Sequence, residues 1–332
     1  MYDILTIGRS SIDLYSNDVG SPFPEITSFG AFVGGCPTNI SVGTRRLGLN
    51  SALLTAIGDD PVGEFLIKFL NEEGVETKYI VTKEGYRTSA VVLGIEPPDR
   101  FPLIYYRDNC ADIELTIDDV IASPIVDSRA ILISGTGLSK EPSRSATLFA
   151  IEQAKELERL VFLDLDFRAD QWHDPRAYGI SIRNILQNIN IAIGTEEEIK
   201  AASLYSISDL SIEHSQISNP NIDGDLNTAI SNILDSGTEA LVVKRGSDGA
   251  EIHLKTGEVI QSPPYPVEIY NTLGAGDAFA SGFIYGILNE WDWEKAARLG
   301  NATGAIVVTR HGCANFMPTM EEVNTFIAQQ EA

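Results

Sequence analysis

A chain of 332 residues, 43% hydrophobic and 21% charged, has ample material for one large α/β body with an appendage and is neither disordered nor fibrous in composition. Its 24 basic side chains against 47 acidic ones leave a formal charge of -23, which opposes attraction to phosphate backbones and anionic membranes, so neither nucleic acid nor membrane is an expected partner. The 3 cysteines, Cys36, Cys110 and Cys313, form no C-x-x-C pair, and no leader-like or span-length apolar run occurs, so a reduced cytoplasmic compartment is expected.

Taken in chain order, strand-length apolar runs stand at 3–8, 51–58, 130–135, 160–166, 190–194 and 240–246, each ending in glycine or a polar residue. Helix-period segments lie between them at 37–47, 61–73, 142–158 and 228–234, several opening on proline, which the first helical turn tolerates. Strand alternating with helix predicts a doubly wound, mainly parallel sheet. Two stretches break the rhythm: residues 12–33, and residues 87–107, which read as a hairpin around Pro97-Pro98-Asp99. Two β-rich insertions suit a small β lid over the crevice at the carboxyl ends of the strands. From Ala275 onward the chain reads as helical, after a glycine-centred hairpin near 249–260.

Three glycine elements carry the chemistry. In Asn271-Thr272-Leu273-Gly274-Ala275-Gly276-Asp277 the glycines precede a long helix, so backbone N–H groups with the helix dipole behind them can hold an anion, and Asp277 in the first turn can accept a hydroxyl proton. The alternative is that the glycines pack the helix against a strand and Asp277 only caps it. Gly34-Gly35-Cys36-Pro37-Thr38-Asn39 also precedes a helix; its glycines permit close approach of a ligand, and Asn39 offers a donor and an acceptor to vicinal hydroxyls. Lys244-Arg245-Gly246-Ser247-Asp248-Gly249 ends a strand where bare backbone can lie against phosphates, though ordinary turns use the same residues. No G-x-G-x-x-G follows the first strand, which argues against a dinucleotide-binding dehydrogenase.

In this order and spacing the three elements resemble the PfkB (ribokinase-like) carbohydrate kinases over essentially the whole chain. The resemblance implies a ribokinase-like fold with residues 1–11, 34–86 and 108–332 in the nucleotide-binding body and residues 12–33 and 87–107 in the lid. It implies that Asp277 is the catalytic base, that Gly274, Ala275 and Gly276 form the anion hole, and that Asp13, Gly34, Gly35 and Asn39 contact the sugar. ATP would lie against Lys244, Gly246, Gly249 and Asn301, with Mg2+ held through water by Glu198. Two positions depart from the family pattern: Asn271 stands where it has Asp, leaving monovalent-cation activation open, and Thr195 stands for the Asn of its Asn-x-x-Glu motif.

Further strings, Gly8-Arg9-Ser10-Ser11-Ile12-Asp13, Tyr105-Tyr106-Arg107-Asp108 and Asp164-Leu165-Asp166-Phe167-Arg168, resemble members that act on keto-deoxy sugar acids. The implied substrate is 5-dehydro-2-deoxy-D-gluconate of inositol catabolism, phosphorylated on its terminal hydroxyl, with 2-dehydro-3-deoxygluconate, or a non-catalytic sugar-acid sensor on the same fold, as alternatives. An arginine binds a planar carboxylate through paired hydrogen bonds, so Arg107 is the expected carboxylate ligand and Arg168 a second anion ligand; surface ion pairs are the bland alternative for both. A homodimer through the lid is the expected assembly.

Overall fold

The computed structural model describes residues 1–97, 100–211 and 220–331. Short strands open the chain: β1 (Tyr2–Ile7), β2 (Ser11–Ser16) and β3 (Phe29–Gly34), followed by α1 (Cys36–Leu47), β4 (Ser51–Gly58), α2 (Pro61–Glu72), β5 (Ile80–Lys83), β6 (Ser89–Leu93) and β7 (Leu103–Tyr106). Regular alternation then sets in with α3 (Ile117–Ile121), β8 (Ser128–Ser134), α4 (Ser143–Glu156), β9 (Leu160–Asp164), α5 (Pro175–Ile185), β10 (Ile191–Thr195) and α6 (Glu196–Ala202). The short pair β11 (Leu210–Ser211) and β12 (Asn221–Ile222), α7 (Leu226–Asp235), β13 (Ala240–Lys244), β14 (Ala250–Leu254), β15 (Val259–Ser262), α8 (Ala275–Leu288), α9 (Trp293–Val308) and α10 (Met320–Gln330) complete it.

Among the described residues, a 9-stranded sheet runs β15-β14-β13-β10-β9-β8-β1-β4-β5. It is parallel from β13 through β5 and antiparallel where β14 and β15 are added at the edge. The central strands read as continuous apolar runs because a parallel sheet is covered on both faces. In β8, Ile131 and Ile133 join one cluster with α4, α5, α6 and α7, whereas Ala130 and Leu132 join another with α1, α8 and α9. Each buried aliphatic side chain of this size stabilises the fold by roughly 1.5–3 kcal/mol. The sheet is thus a double-sided α/β core, as the alternation of elements predicts; β5 and α5 lie outside the segments expected from periodicity.

The second sheet has 4 strands in the order β3-β2-β6-β7, antiparallel except for the β2–β6 pair. Its strands come from the two stretches that interrupt the sequence rhythm. Of the hairpin expected around Pro97-Pro98-Asp99, Pro98 and Asp99 lie outside the described residues. On one face of this sheet Asp13 pairs in register with Val91, and Val91 with Tyr105, so Asp13 and Tyr105 look the same way. No helix of the described residues is long and apolar enough to cross a membrane.

Candidate active site

A cavity of about 270 Å³ opens where the parallel strands end, lined by Asp164, Thr195 and Lys244 at the carboxyl ends of β9, β10 and β13. Gly274, Gly276 and Asp277 of α8 close one side, and Phe101, Leu103 and Arg168 another. Strand termini at a sheet's carboxyl edge are where an open α/β sheet builds its ligand crevice.

The turn into α8 is built on glycine for a steric reason. Gly274 is the N-cap at φ 80°, and a Cβ there would stand 2.7 Å from the Cys313 backbone nitrogen. Behind it Asn271, fully buried, donates to the His311 carbonyl at 2.6 Å and accepts from the Leu273 N–H at 3.0 Å, which pins the loop. The Ala275 N–H is taken by the Thr272 carbonyl at 3.3 Å, whereas Gly274, Gly276 and Asp277 line the cavity at the positive end of the helix. Asp277 Oδ2 accepts from Asn39 Nδ2 at 2.7 Å. Burial raises the Asp277 carboxyl above its ordinary range, while the Asn39 amide works the other way by favouring the charged form. A half-buried carboxylate at the positive end of a helix can take a proton from a hydroxyl while developing negative charge is held next to it.

Lys244 Nζ sits 3.3 Å from Asp164 Oδ2 and 3.8 Å from Glu198 Oε2. Burial works against the ammonium charge, but Asp164 and Glu198 outweigh it and hold the lysine protonated. Thr195 caps α6 in a capping box with Glu198, whose Oε2 accepts from the Thr195 N–H at 2.8 Å. The threonine thus fixes Glu198 by its backbone and hydroxyl, whatever an asparagine would add. Glu198 and Asp164 bring hard oxygen donors to one wall of the cavity, a donor set that fits Mg2+ held largely through waters and phosphate oxygens. Burial raises the Asp164 carboxyl, with Lys244 pulling it down and Glu198 and Asp277 pushing it up.

The sugar-side candidates converge. A Cβ on Gly34 would occupy the position of the Asp13 carboxylate, and one on Gly35, at φ 108°, would run into the Arg9 carbonyl oxygen, so these glycines let β2 and the start of α1 close together. Asp13 is buried, with its carboxyl raised to about 6 by desolvation against the opposing pull of Arg9 and the Ser11 hydroxyl. Arg168 lines the cavity, its Nη2 3.4 Å from Asp166 and Nη1 3.7 Å from Glu198. Arg107 is placed differently. It is 2% exposed, its Nε donates to Asp112 Oδ2 at 2.7 Å, its Nη1 donates to the Thr136 carbonyl at 3.3 Å, and it is not among the residues lining the cavity. Its charge is already balanced five residues along the chain.

On the other side of Lys244, Gly246 and Gly249 flank a turn with φ 56° and 85°. Space around Gly246 is open, whereas a Cβ on Gly249 would strike the Ser262 carbonyl. Asn301 is buried and donates to the Ser262 and Pro263 carbonyls, each at 3.0 Å, so its amide holds the segment after β15 and stands outside the cavity lining.

Sequence reasoning passed over Cys36, Asp164 and Arg9 as site residues. The Cys36 thiol, Asp164 and Asp277 have ligand atoms within 4.8 Å of one another. Asp164 was legible as the acid ending an apolar strand; the cysteine carried no local signal, because its neighbours in the site are more than a hundred residues away.

The model of the pfkB family carbohydrate kinases matches residues 1–320. A 5-dehydro-2-deoxygluconokinase of Geobacillus thermodenitrificans is 34% identical over 331 residues, covering 99% of this chain and 94% of its own. A 5-dehydro-2-deoxygluconokinase of Bacillus subtilis is 31% identical over 330 residues, with coverages of 99% and 97%. Among solved structures, a protein from E. coli described as a ribokinase II, in complex with ATP and Mg2+, superposes with a TM-score of 0.85 at 23% identity over 99% of this chain and 100% of its own. The aminoimidazole riboside kinase of Salmonella enterica, complexed with its riboside and an ATP analog, gives 0.80 at 23% identity over 98% and 99%. These two likenesses bear on the fold, which is ribokinase-like.

Proposed function

Since the chain belongs to the pfkB family of carbohydrate kinases, we propose that it transfers the γ-phosphoryl group of ATP to the terminal hydroxyl of 5-dehydro-2-deoxy-D-gluconate, a step of inositol breakdown. The observation that carries the phosphoryl-transfer part is Asp277 at the open N-terminus of α8, hydrogen-bonded to Asn39 and facing a cavity that also holds Lys244.

In this reading Asp277 Oδ accepts the proton of the attacking hydroxyl as the oxygen closes on phosphorus in line with the leaving ADP. The N–H groups of Gly274, Gly276 and Asp277 hold the equatorial oxygens, the Ala275 N–H being taken by Thr272, and the Lys244 ammonium balances charge on the transferring group. Mg2+, when bound near Glu198 and Asp164, supplies charge neutralisation at the β- and γ-phosphates. Asp13 and Asn39, brought together by the close approach that Gly34 and Gly35 allow, take the sugar hydroxyls; the turn with Gly246 and Gly249 takes the nucleotide phosphates. The four-stranded sheet serves as lid, excluding water from the transfer.

The lid's outer face supports the dimer. Phe29, Ile104 and Tyr106 stand on that face at 39%, 45% and 61% exposure, an apolar row that a second copy of the sheet would cover. Sedimentation showing a monomer independent of concentration would remove the dimer without touching the chemistry.

Measurement of ATP consumption with 5-dehydro-2-deoxygluconate, 2-dehydro-3-deoxygluconate and fructose tests the substrate. The two acids carry the same charge but place the ketone and the missing hydroxyl differently, so the 5-dehydro acid should show the highest kcat/KM. Equal efficiency on both acids overturns the choice between them, and fructose outperforming both overturns the sugar-acid reading.

A further inference from the structure

Two buried arginines are held in different ways. Arg107 is ion-paired with Asp112 at 2.7 Å. Arg9, at 5% exposure, makes no direct ion pair among the described residues, and the carboxylates of Asp13, Asp166 and Asp112 favour its charge from beyond contact distance. Its Nη1 donates to the neutral Ser11 hydroxyl at 2.8 Å, and that hydroxyl donates in turn to Asp13 Oδ1 at 2.7 Å. Its Nε is buried without a partner. The Arg9 guanidinium carbon lies 4.9 Å from the centroid of the Tyr105 ring, on the inward face of β7 that Asp13 shares.

Arg168, which lines the cavity, also lies near Tyr105, and its ion contacts are Asp166 at 3.4 Å and Glu198 at 3.7 Å. Its Nη1 donates to the Phe167 carbonyl at 2.9 Å and its Nε is likewise buried without a partner. Leaving a buried guanidinium donor unmade costs free energy that a charged acceptor would recover. Two such donors, one just past β1 and one just past β9, both near Tyr105, are of the type that binds a planar anion. The Tyr105 ring gives the Arg9 guanidinium an aromatic face.

We propose that Arg9, acting with Arg168 beside Tyr105, binds the carboxylate of the sugar-acid substrate and is the residue that sets acid over neutral sugar, while Arg107 is a structural arginine that holds the 107–112 loop to the body. This inference rests on the sugar-acid reading given above. It predicts a division of labour: Asp13 and Asn39 address hydroxyls near the transferred phosphoryl, and Arg9 and Arg168 address the charged end of the same molecule.

The experiment compares 5-dehydro-2-deoxygluconate with its uncharged primary amide in the wild-type enzyme and in Arg9→Gln, Arg9→Lys and Arg107→Ala. The wild type should prefer the acid. Arg9→Gln should raise KM for the acid by about 10- to 100-fold with kcat changed much less, and should leave the amide nearly unaffected, so that the preference collapses. Arg9→Lys, which keeps the charge and loses the planar fork, should fall between. Arg107→Ala should lower the melting temperature yet retain the preference for the acid. Arg9→Gln that is folded by circular dichroism and still prefers the acid as the wild type does overturns the inference alone. Should Arg9→Gln not fold, Arg9→Lys decides in the same way: an unchanged preference overturns it. A wild type that does not distinguish acid from amide overturns the sugar-acid reading beneath it.

Discussion

The two glycine turns that open α1 and α8 look interchangeable on paper, yet the structure uses them in contrasting ways. At Gly34 and Gly35 the missing side chains are filled by protein: the Asp13 carboxylate occupies one space and the Arg9 carbonyl the other, with Thr38 Oγ donating to that carbonyl at 3.1 Å. Proline at position 37 removes a donor from the start of α1, and the turn is closed. At Gly274 the backbone is wedged against Cys313, but Gly276 faces the cavity, where the nearest atom to a built Cβ is the Lys244 ammonium at the end of its side chain, at 3.1 Å. One turn is a joint that brings Asp13 and Asn39 together; the other is an open cradle. Glycine in a motif therefore says that something comes close, and only the neighbours say whether it is protein or ligand.

That contrast can be broken most decisively at the base. Asp277→Asn keeps the shape of the α8 cradle and removes the proton acceptor, so kcat should fall by about two to four powers of ten with a modest change in KM. Steady-state kinetics that return near-normal turnover would move the base elsewhere. Next in size, Gly35→Ala forces a side chain into positive φ and against the Arg9 carbonyl; denaturant unfolding should register a loss of about 2–4 kcal/mol. Gly276→Ala should instead leave stability within about 0.5 kcal/mol and lower kcat/KM by about 10- to 100-fold, because it crowds the phosphoryl path alone. Equal stability losses for the two glycines would erase the distinction between joint and cradle.

The smallest effect is the sharpest. Burial raises the Asp277 carboxyl, so the acid limb of kcat/KM against pH should lie above the usual carboxylate value of about 4, activity rising as Asp277 loses its proton. Asn39→Ala removes a donor that favours the charged form, so the limb should move to higher pH. A limb that stays in place in the pH profile would show that the joint does not tune the base.

Comparing the two arginines of the crevice extends the lesson. Arg107 and its partner Asp112 are five residues apart, so the pairing was within reach of local reading, but the pair is buried rather than the surface ion pair named as the alternative. Arg9 carried no such signal: an arginine after a strand is as often solvated as buried, and what singles it out is a buried Nε with no hydrogen-bond partner, a property of packing rather than of spacing.

By itself the sequence determined the alternating elements, the position of the α8 cradle, the acid in its first turn and the two β-rich stretches of the second sheet. These are legible because helix starts, strand ends and glycine turns depend on residues a few positions apart. Only the tertiary structure decided that Asn39 would reach Asp277 across 238 residues, that the Cys36 thiol would stand beside Asp164, and that Asn301 would spend its amide on the Ser262 and Pro263 carbonyls. It also decided which buried arginine is paired directly with a carboxylate and which keeps an unpartnered Nε. The physical reason is that desolvation and pairing energies are set by every atom within a few ångström, and in a parallel sheet those atoms come from strands separated by whole crossovers of chain.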